Sequence, residues 1–257
     1  MRLTNDTYMT VAGHRGDSYN YYENTLTAFK MAIKNGADMI ETDVRLSSDG
    51  FLVLMHDDKV DRTTNGSGFV KDMTFEELRE LNCGDSQSFE IMPTLKELFD
   101  IVKDTKITLN IEIKEYYNEG NFERCEKCID DVLDLVEEYG LGDRILINSF
   151  DAYVLEYVYK KHGKKYMLHG FYPYWEMGNV NINPDEYLYC ACVFQIKNKE
   201  NFEYLISRGI EPWIGASITQ KDVLEYCINN GAKLVTTNNP RDTISKIDEI
   251  ANNTRFA

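Results

Sequence analysis

The stretch V-A-G-H-R-G-D-S-Y-N-Y-Y-E-N-T-L-T-A-F-K-M-A-I-K-N-G-A-D-M-I-E-T-D-V-R-L, from Val11 to Leu46, reads as strand, helix, strand. A short apolar run closes on His14. Between Asn24 and Gly36, Leu26, Phe29 and Ile33 share one helical face, and Gly36 suits the helix end. The run from Ala37 to Leu46 then reads as a second strand. Strand, helix and strand in that order imply a parallel pair with the helix as crossover.

The alternation continues to the end of the chain. F-L-V-L-M-H, I-T-L-N-I-E-I-K, R-I-L-I-N-S-F, K-Y-M-L-H-G, L-Y-C-A-C-V-F, E-P-W-I-G-A-S and K-L-V-T-T-N are further strand candidates. Most are separated by helical segments. T-F-E-E at Thr74 to Glu77 and T-L-K-E at Thr94 to Glu97 are capping boxes that open helices. Asp151 and Thr219 are expected N-caps, and a helix is expected around Phe122 to Tyr139. The number of units predicts an α/β fold, a closed (β/α)8 TIM barrel. Residues 1–257 are expected to form a single domain, with an insertion of about 57–93 after the third strand. Nine strand candidates compete for eight places, and the surplus one is expected among the last three or four.

Bulk composition agrees with a folded enzyme-sized chain. Of the 257 residues 43% are hydrophobic, enough for a core, and the formal charge is -15. So acidic a chain disfavours nonspecific binding to nucleic acid or to an anionic membrane. It leaves room for a small anionic substrate held by a local positive patch. No run approaches the roughly 18 apolar residues of a membrane helix, so no stable membrane anchor is expected. The first residues show no signal-peptide core, and a cytoplasmic location is expected. The six cysteines fit that expectation as reduced structural thiols. Cys125 and Cys128 fall on a helix with no second C-x-x-C, and Cys190 and Cys192 alternate along a strand.

Functional residues of a parallel barrel gather at the C-terminal ends of its strands. The first strand ends in His14-Arg15-Gly16 and the third in His56-Asp57. Glu41 and Asp43 share one face of the second strand, opposite Ile40, Thr42 and Val44. Glu112 and Lys114 share one face of the fourth, opposite Ile111 and Ile113. If the apolar sets face the outer helices, the charges converge at the barrel mouth. Three converging carboxylates repel and raise each other's pKa unless a cation joins them. A hard divalent ion, Mg2+ or Ca2+, suits oxygen ligands. Arg15 and Lys114 add the charge that a phosphate needs. Two histidines suit paired proton transfer near neutral pH. The expected reaction is metal-assisted cleavage of a phosphate ester whose leaving alkoxide needs a proton. Gly16 is expected to let the backbone turn without crowding the phosphate. Asn24 is placed to cap the first helix, and Glu23 to look back to the site. His162 and His169 read as structural.

The ordered set H-R-G, E-N-T, E-T-D, H-D-D-K-V-D-R-T-T-N-G-S-G, P-T-L-K-E and E-I-K resembles the glycerophosphodiester phosphodiesterase family, and N-S-F at Asn148 to Phe150 fits it too. The resemblance runs from His14 to Lys114. It implies a TIM barrel hydrolysing glycerophosphodiesters, such as glycerophosphocholine or glycerophosphoethanolamine, to glycerol 3-phosphate and an alcohol. It implies His14 and His56 as the acid/base pair, and Glu41, Asp43 and Glu112 as ligands of one divalent metal. It implies Arg15 and Lys114 as phosphate-binding residues, and Glu23 as an orienting partner of Arg15 or His14, with Asn24 beside it. Trp213 matches a family tryptophan that packs against glycerol.

The last third departs from the family pattern. Trp213-Ile214-Gly215-Ala216 stands where W-T-V-N is usual, Asn238 stands at a usual Asp, and Tyr22 at a usual Pro. Tyr19, Tyr21 and Tyr22, and Y-P-Y-W at Tyr172 to Trp175, fall on loops at the mouth, as surface aromatics or as a rim for a head group or acyl chain. The same site could take a lysophospholipid or another lipid phosphodiester. A catalytically silent, phosphodiester-binding barrel would be expected to lack a histidine or an acidic ligand, and none is missing.

Overall fold

The computed structural model describes residues 3–4, 8–117 and 120–254; residues 1–2 and 5–7 of the N-terminal stretch read above lie outside them. The chain runs β1 (Thr10–His14), α1 (Leu26–Lys34), β2 (Met39–Leu46), β3 (Leu52–Leu54), α2 (Phe75–Glu80), α3 (Leu95–Val102), β4 (Thr108–Ile113), α4 (Phe122–Tyr139) and β5 (Ile145–Asn148). It continues α5 (Ala152–His162), β6 (Met167–Tyr172), β7 (Cys190–Val193), α6 (Lys199–Ser207), β8 (Glu211–Ile214), α7 (Lys221–Asn229), β9 (Leu234–Thr237) and α8 (Pro240–Thr254). Hydrogen bonding runs β1-β9-β8-β7-β6-β5-β4-β2, and the β1–β2 pair closes the ring. Among the described residues this is a closed parallel barrel of eight strands, the TIM barrel expected from the sequence.

The surplus strand is β3, not one of the last strands. It pairs antiparallel with β2 at the rim, Val44 opposite Leu54 and Leu46 opposite Leu52. The physical reason lies in the connection. Ser47 to Phe51 is a tight turn, with Gly50 at φ 88° and Ser47 N–H bonded to Phe51 O at 2.9 Å. A parallel neighbour would need a crossover of a dozen or more residues. His56 therefore reaches the mouth on a hairpin excursion, not at the end of a barrel strand.

Both capping boxes form: the Thr74 and Thr94 side chains accept from Glu77 N and Glu97 N, and each glutamate returns a bond to its cap. Asp151 caps α5. Gln220 rather than Thr219 precedes α7, without a side-chain cap bond. Thr25, not Asn24, caps α1 by accepting from Ala28 N, because Asn24 is engaged elsewhere.

Strand alternation sorts two cores. Ile40, Val44, Ile111 and Ile113 pack outward with Phe29, Phe99 and Ile129 of the helices. Ala12, Met39, Leu146, Cys190, Trp213 and Leu234 fill the barrel interior. That division leaves the opposite faces of the upper strands to Glu41, Asp43 and Glu112. Gly16 is required at φ +86°, where a Cβ would lie 2.6 Å from the Ala28 carbonyl carbon. The crowding that Gly16 avoids is helix α1 itself, which brings the β1–α1 loop down onto that helix. All six cysteines are buried. No helix among the described residues is long and apolar enough to cross a membrane.

Candidate active site

Strand register assembles the centre. In the β1–β2 pair His14 lies beside Glu41, and in the β2–β4 pair Asp43 lies beside Glu112. One carboxylate oxygen from each of Glu41, Asp43 and Glu112 lies within 4.8 Å of the others, and all three side chains are buried. Lys114 Nζ sits 2.5 Å from Glu112 Oε1 and 3.3 Å from Asp43 Oδ1. Arg15 Nε lies 3.3 Å from Asp43 Oδ2, and the Arg15 backbone N–H donates to Glu41 Oε2 at 2.9 Å. Asn24, buried at φ 56°, donates to Asp43 Oδ2 at 2.8 Å and accepts from the Thr42 hydroxyl. It serves the acidic cluster instead of the helix end. Glu23 Oε1 accepts from Arg15 Nη1 at 2.9 Å.

The electrostatics of the three carboxylates call for a cation. Burial, with the charges of Asp43 and Glu112, pushes the Glu41 carboxyl well above its usual range. Burial also raises Glu112, against the pull of Lys114. Burial works on Asp43 as well, but Lys114 and Arg15 overcome it and keep that carboxyl low. Lys114 itself is penalised by burial yet raised by Glu112 and Asp43. Asp43 Oδ1 is buried without a hydrogen-bond partner among the described residues. An all-oxygen donor set with mutual repulsion, and one buried oxygen that has an ion pair to Lys114 but no hydrogen bond, fits a hard divalent ion.

Each histidine has its Nδ1 committed. His14 Nδ1–H donates to Asn238 Oδ1 at 2.6 Å, and His14 Nε2 lies 3.9 Å from Glu41 Oε2. His56 Nδ1–H donates to Asp57 Oδ1 at 2.6 Å. With Nδ1 donating, Nε2 is the unprotonated nitrogen of each neutral ring. Burial, then Arg15, lowers the His14 pKa to about 4. Burial also lowers His56, with Asp43 and Asp57 opposing. The position that departs from the family pattern, Asn238, is thus a direct partner of His14. Closure of the barrel through β1 and β9 puts it there.

Sequence reasoning also missed Arg45 and Arg62. Arg45 follows Glu41 and Asp43 on the same face of β2 and donates to the backbone carbonyls of His56 and Lys114. It pins the hairpin that carries His56. The signal was the continuing alternation of charge along E-T-D-V-R. Arg62 contacts Asp57 and Glu23 from the insertion.

Trp213 does not reach the mouth. It is 0% exposed in the interior core, its ring 4.8 Å from that of His169 and its Nε1–H on Glu211 Oε2 at 3.2 Å. The glycerol-packing role implied by resemblance is corrected to barrel core, since nothing in solution touches the indole. His169 packs beside it, neutral, its pKa lowered to about 3 by burial. Trp213→Ala is expected to cost about 3–5 kcal/mol of stability, read by urea denaturation. A stability within 1 kcal/mol of the native chain would argue against the core placement. The aromatic wall at the mouth is Phe150, Phe171 and Phe194. Phe150 and Phe171 stack at 3.6 Å, and Lys114 Nζ lies 5.7 Å from the Phe150 ring. Tyr19, Tyr22 and Trp175 are exposed on their loops, while Tyr21 and Tyr22 line a cavity with the insertion.

Comparison with known proteins agrees with this geometry. Residues 14–184 match the model of the Glycerophosphoryl diester phosphodiesterase family. A glycerophosphodiester phosphodiesterase of Caldanaerobacter subterraneus subsp. tengcongensis is 37% identical over 249 residues, 92% of this chain and 97% of that protein. The solved glycerophosphodiester phosphodiesterase of Thermotoga maritima superposes with a TM-score of 0.74 at 28% identity, over 94% of this chain and 99% of its own. A phosphodiesterase of Oleispira antarctica, solved in complex with the product sn-glycerol-3-phosphate, has the same fold, with a TM-score of 0.80 at 24% identity over 94% of this chain and 97% of its own. Fold and relatives define the class, a TIM-barrel phosphoric diester hydrolase. Within that class the chain belongs to the glycerophosphoryl diester phosphodiesterase family.

Proposed function

We propose that this chain, acting as a single domain over residues 1–257 with its insertion 57–93, hydrolyses small glycerophosphodiesters such as glycerophosphocholine or glycerophosphoethanolamine to glycerol 3-phosphate and the free alcohol. The observation that carries this reading is the convergence of Glu41, Asp43 and Glu112 within 4.8 Å, with Lys114 and Arg15 against them. A divalent cation, Mg2+ or Ca2+, held by the three carboxylates would offset charge on a nonbridging phosphate oxygen. Arg15 and Lys114 orient the phosphate from two sides. His14, paired with a neutral amide, accepts the proton of the attacking oxygen. His56, paired with a carboxylate that favours its charged form, delivers a proton to the leaving alkoxide.

A second reading, hydrolysis of a lysophospholipid at the same centre, is favoured by Phe194, which is 45% exposed beside Phe150 and Phe171. The deciding assay is release of glycerol 3-phosphate from glycerophosphocholine by purified protein, stripped with EDTA and reloaded with Mg2+ or Ca2+, beside a lysophospholipid arm. Metal-dependent release from the small substrate is expected. Cleavage of the lysophospholipid alone, read as release of its head-group alcohol with an acylated glycerol phosphate left behind, would transfer the assignment to the second reading. No release in either arm by folded, metal-loaded protein would sink both.

A further inference from the structure

Arg62 stands in the insertion, outside the barrel and outside every role assigned above. Its guanidinium makes two forked contacts. Towards Asp57, Nε reaches Oδ2 at 2.6 Å and Nη2 reaches Oδ1 at 3.1 Å. Towards Glu23, Nη1 reaches Oε2 at 2.8 Å and Nη2 reaches Oε1 at 2.7 Å. The two oxygens that Nη2 bridges are also the working ones. Asp57 Oδ1 accepts from His56 Nδ1, and Glu23 Oε1 accepts from Arg15 Nη1. One nitrogen thus stands between the partner of a histidine and the partner of a phosphate-facing arginine.

We propose that Arg62 is a positioning residue that fixes the His56 imidazole, through Asp57, and the Arg15 guanidinium, through Glu23, in one common geometry. The inference rests on the reading of His56 and Arg15 given above. Glu23 lies on the β1–α1 loop and Asp57 just beyond the β3 hairpin, so no strand ladder sets their spacing. A planar guanidinium with two donor edges does set it, because its fork has one geometry. A lysine carries the charge but cannot bridge both carboxylates edge-on. The stability at stake is small, since the Arg62 side chain is 48% exposed and exposed ion pairs contribute little. The effect lies in orientation: Asp57 with both oxygens engaged cannot swing away from His56, so the ring stays in its Nδ1–H tautomer with Nε2 free. Arg62 and Glu23 also line an open cavity of about 600 Å3 with Tyr22, Asn65, Asn82 and Asp85, which gives small solutes access to the guanidinium position.

The test compares Arg62→Met and Arg62→Lys with the native chain. The readouts are the 15N shifts of the His56 ring, kcat and KM on glycerophosphocholine, and Tm on the same samples. The native ring is expected to show the single Nδ1–H tautomer. Both variants are expected to lose it and to fall roughly 10- to 100-fold in kcat, with millimolar guanidinium restoring part of the loss in Arg62→Met. Unchanged ring shifts and kcat in both variants, or a lowered Tm with the tautomer intact, would overturn the proposal. Should Arg62→Met fail to fold, Arg62→Lys carries the same readouts. Should the native chain prove inactive on glycerophosphocholine, the function reading fails, and the ring shifts alone still decide whether Arg62 holds His56.

Discussion

His14→Ala and His56→Ala are each expected to lower turnover of glycerophosphocholine by roughly 10²- to 10⁴-fold, the range that positioned proton transfer contributes. Neither ring is part of a core cluster, and both remain partly open to solvent, so Tm should change little. The two losses should separate by leaving group. A diester with a good leaving group, such as a p-nitrophenyl ester, needs no proton on departure. His56→Ala should therefore lose far less on that substrate than on glycerophosphocholine, while His14→Ala should lose alike on both. The contrast follows from the partners: a neutral amide on His14 and a carboxylate on His56. Equal losses for both variants on both substrates would refute this division of labour.

The second large effect concerns the carboxylates and reverses sign with the metal. Asp43→Asn and Glu41→Gln should abolish metal-dependent turnover, because each removes a charged oxygen from a three-ligand set. In metal-free protein Glu41→Gln should instead stabilise the fold. The Glu41 carboxyl is pushed well above its ordinary value by burial, then by Asp43 and Glu112. A carboxyl raised in the folded state supports stability below its unfolded pKa and withdraws that support as pH rises through the folded value. Metal-free native protein should therefore lose Tm from mildly acid pH upward, and Glu41→Gln should flatten that fall. Saturating Mg2+ or Ca2+ should reverse it, adding about 2.7 kcal/mol at a hundred times Kd. Calorimetry across pH with and without metal measures all three slopes. A native Tm that does not fall with pH in EDTA would show that the cluster carries its charge without a cation.

Much of this was legible along the chain because it depends on local rules. The capping boxes at Thr74 and Thr94 need only residues three apart. The convergence of Glu41, Asp43 and Glu112 follows from two-residue alternation once neighbouring strands run parallel. The identity of the surplus strand was also legible in principle. Five residues between β2 and β3 cannot cross over, yet the apolar run F-L-V-L-M reads the same in either direction.

By itself the sequence determined the barrel and the convergence of the acidic cluster, since each depends on periodicity and spacing within a few residues. Only the tertiary structure decided their partners. Asn238 meets His14 across 224 residues because the last strand closes on the first. Arg62 meets Glu23 across 39 because the insertion folds back over the β1–α1 loop. Trp213 turned inward because barrel curvature places its strand face over the interior, beside His169. Ring closure and loop packing are long-range events, and local pattern carries no signal of which distant side chains they bring together.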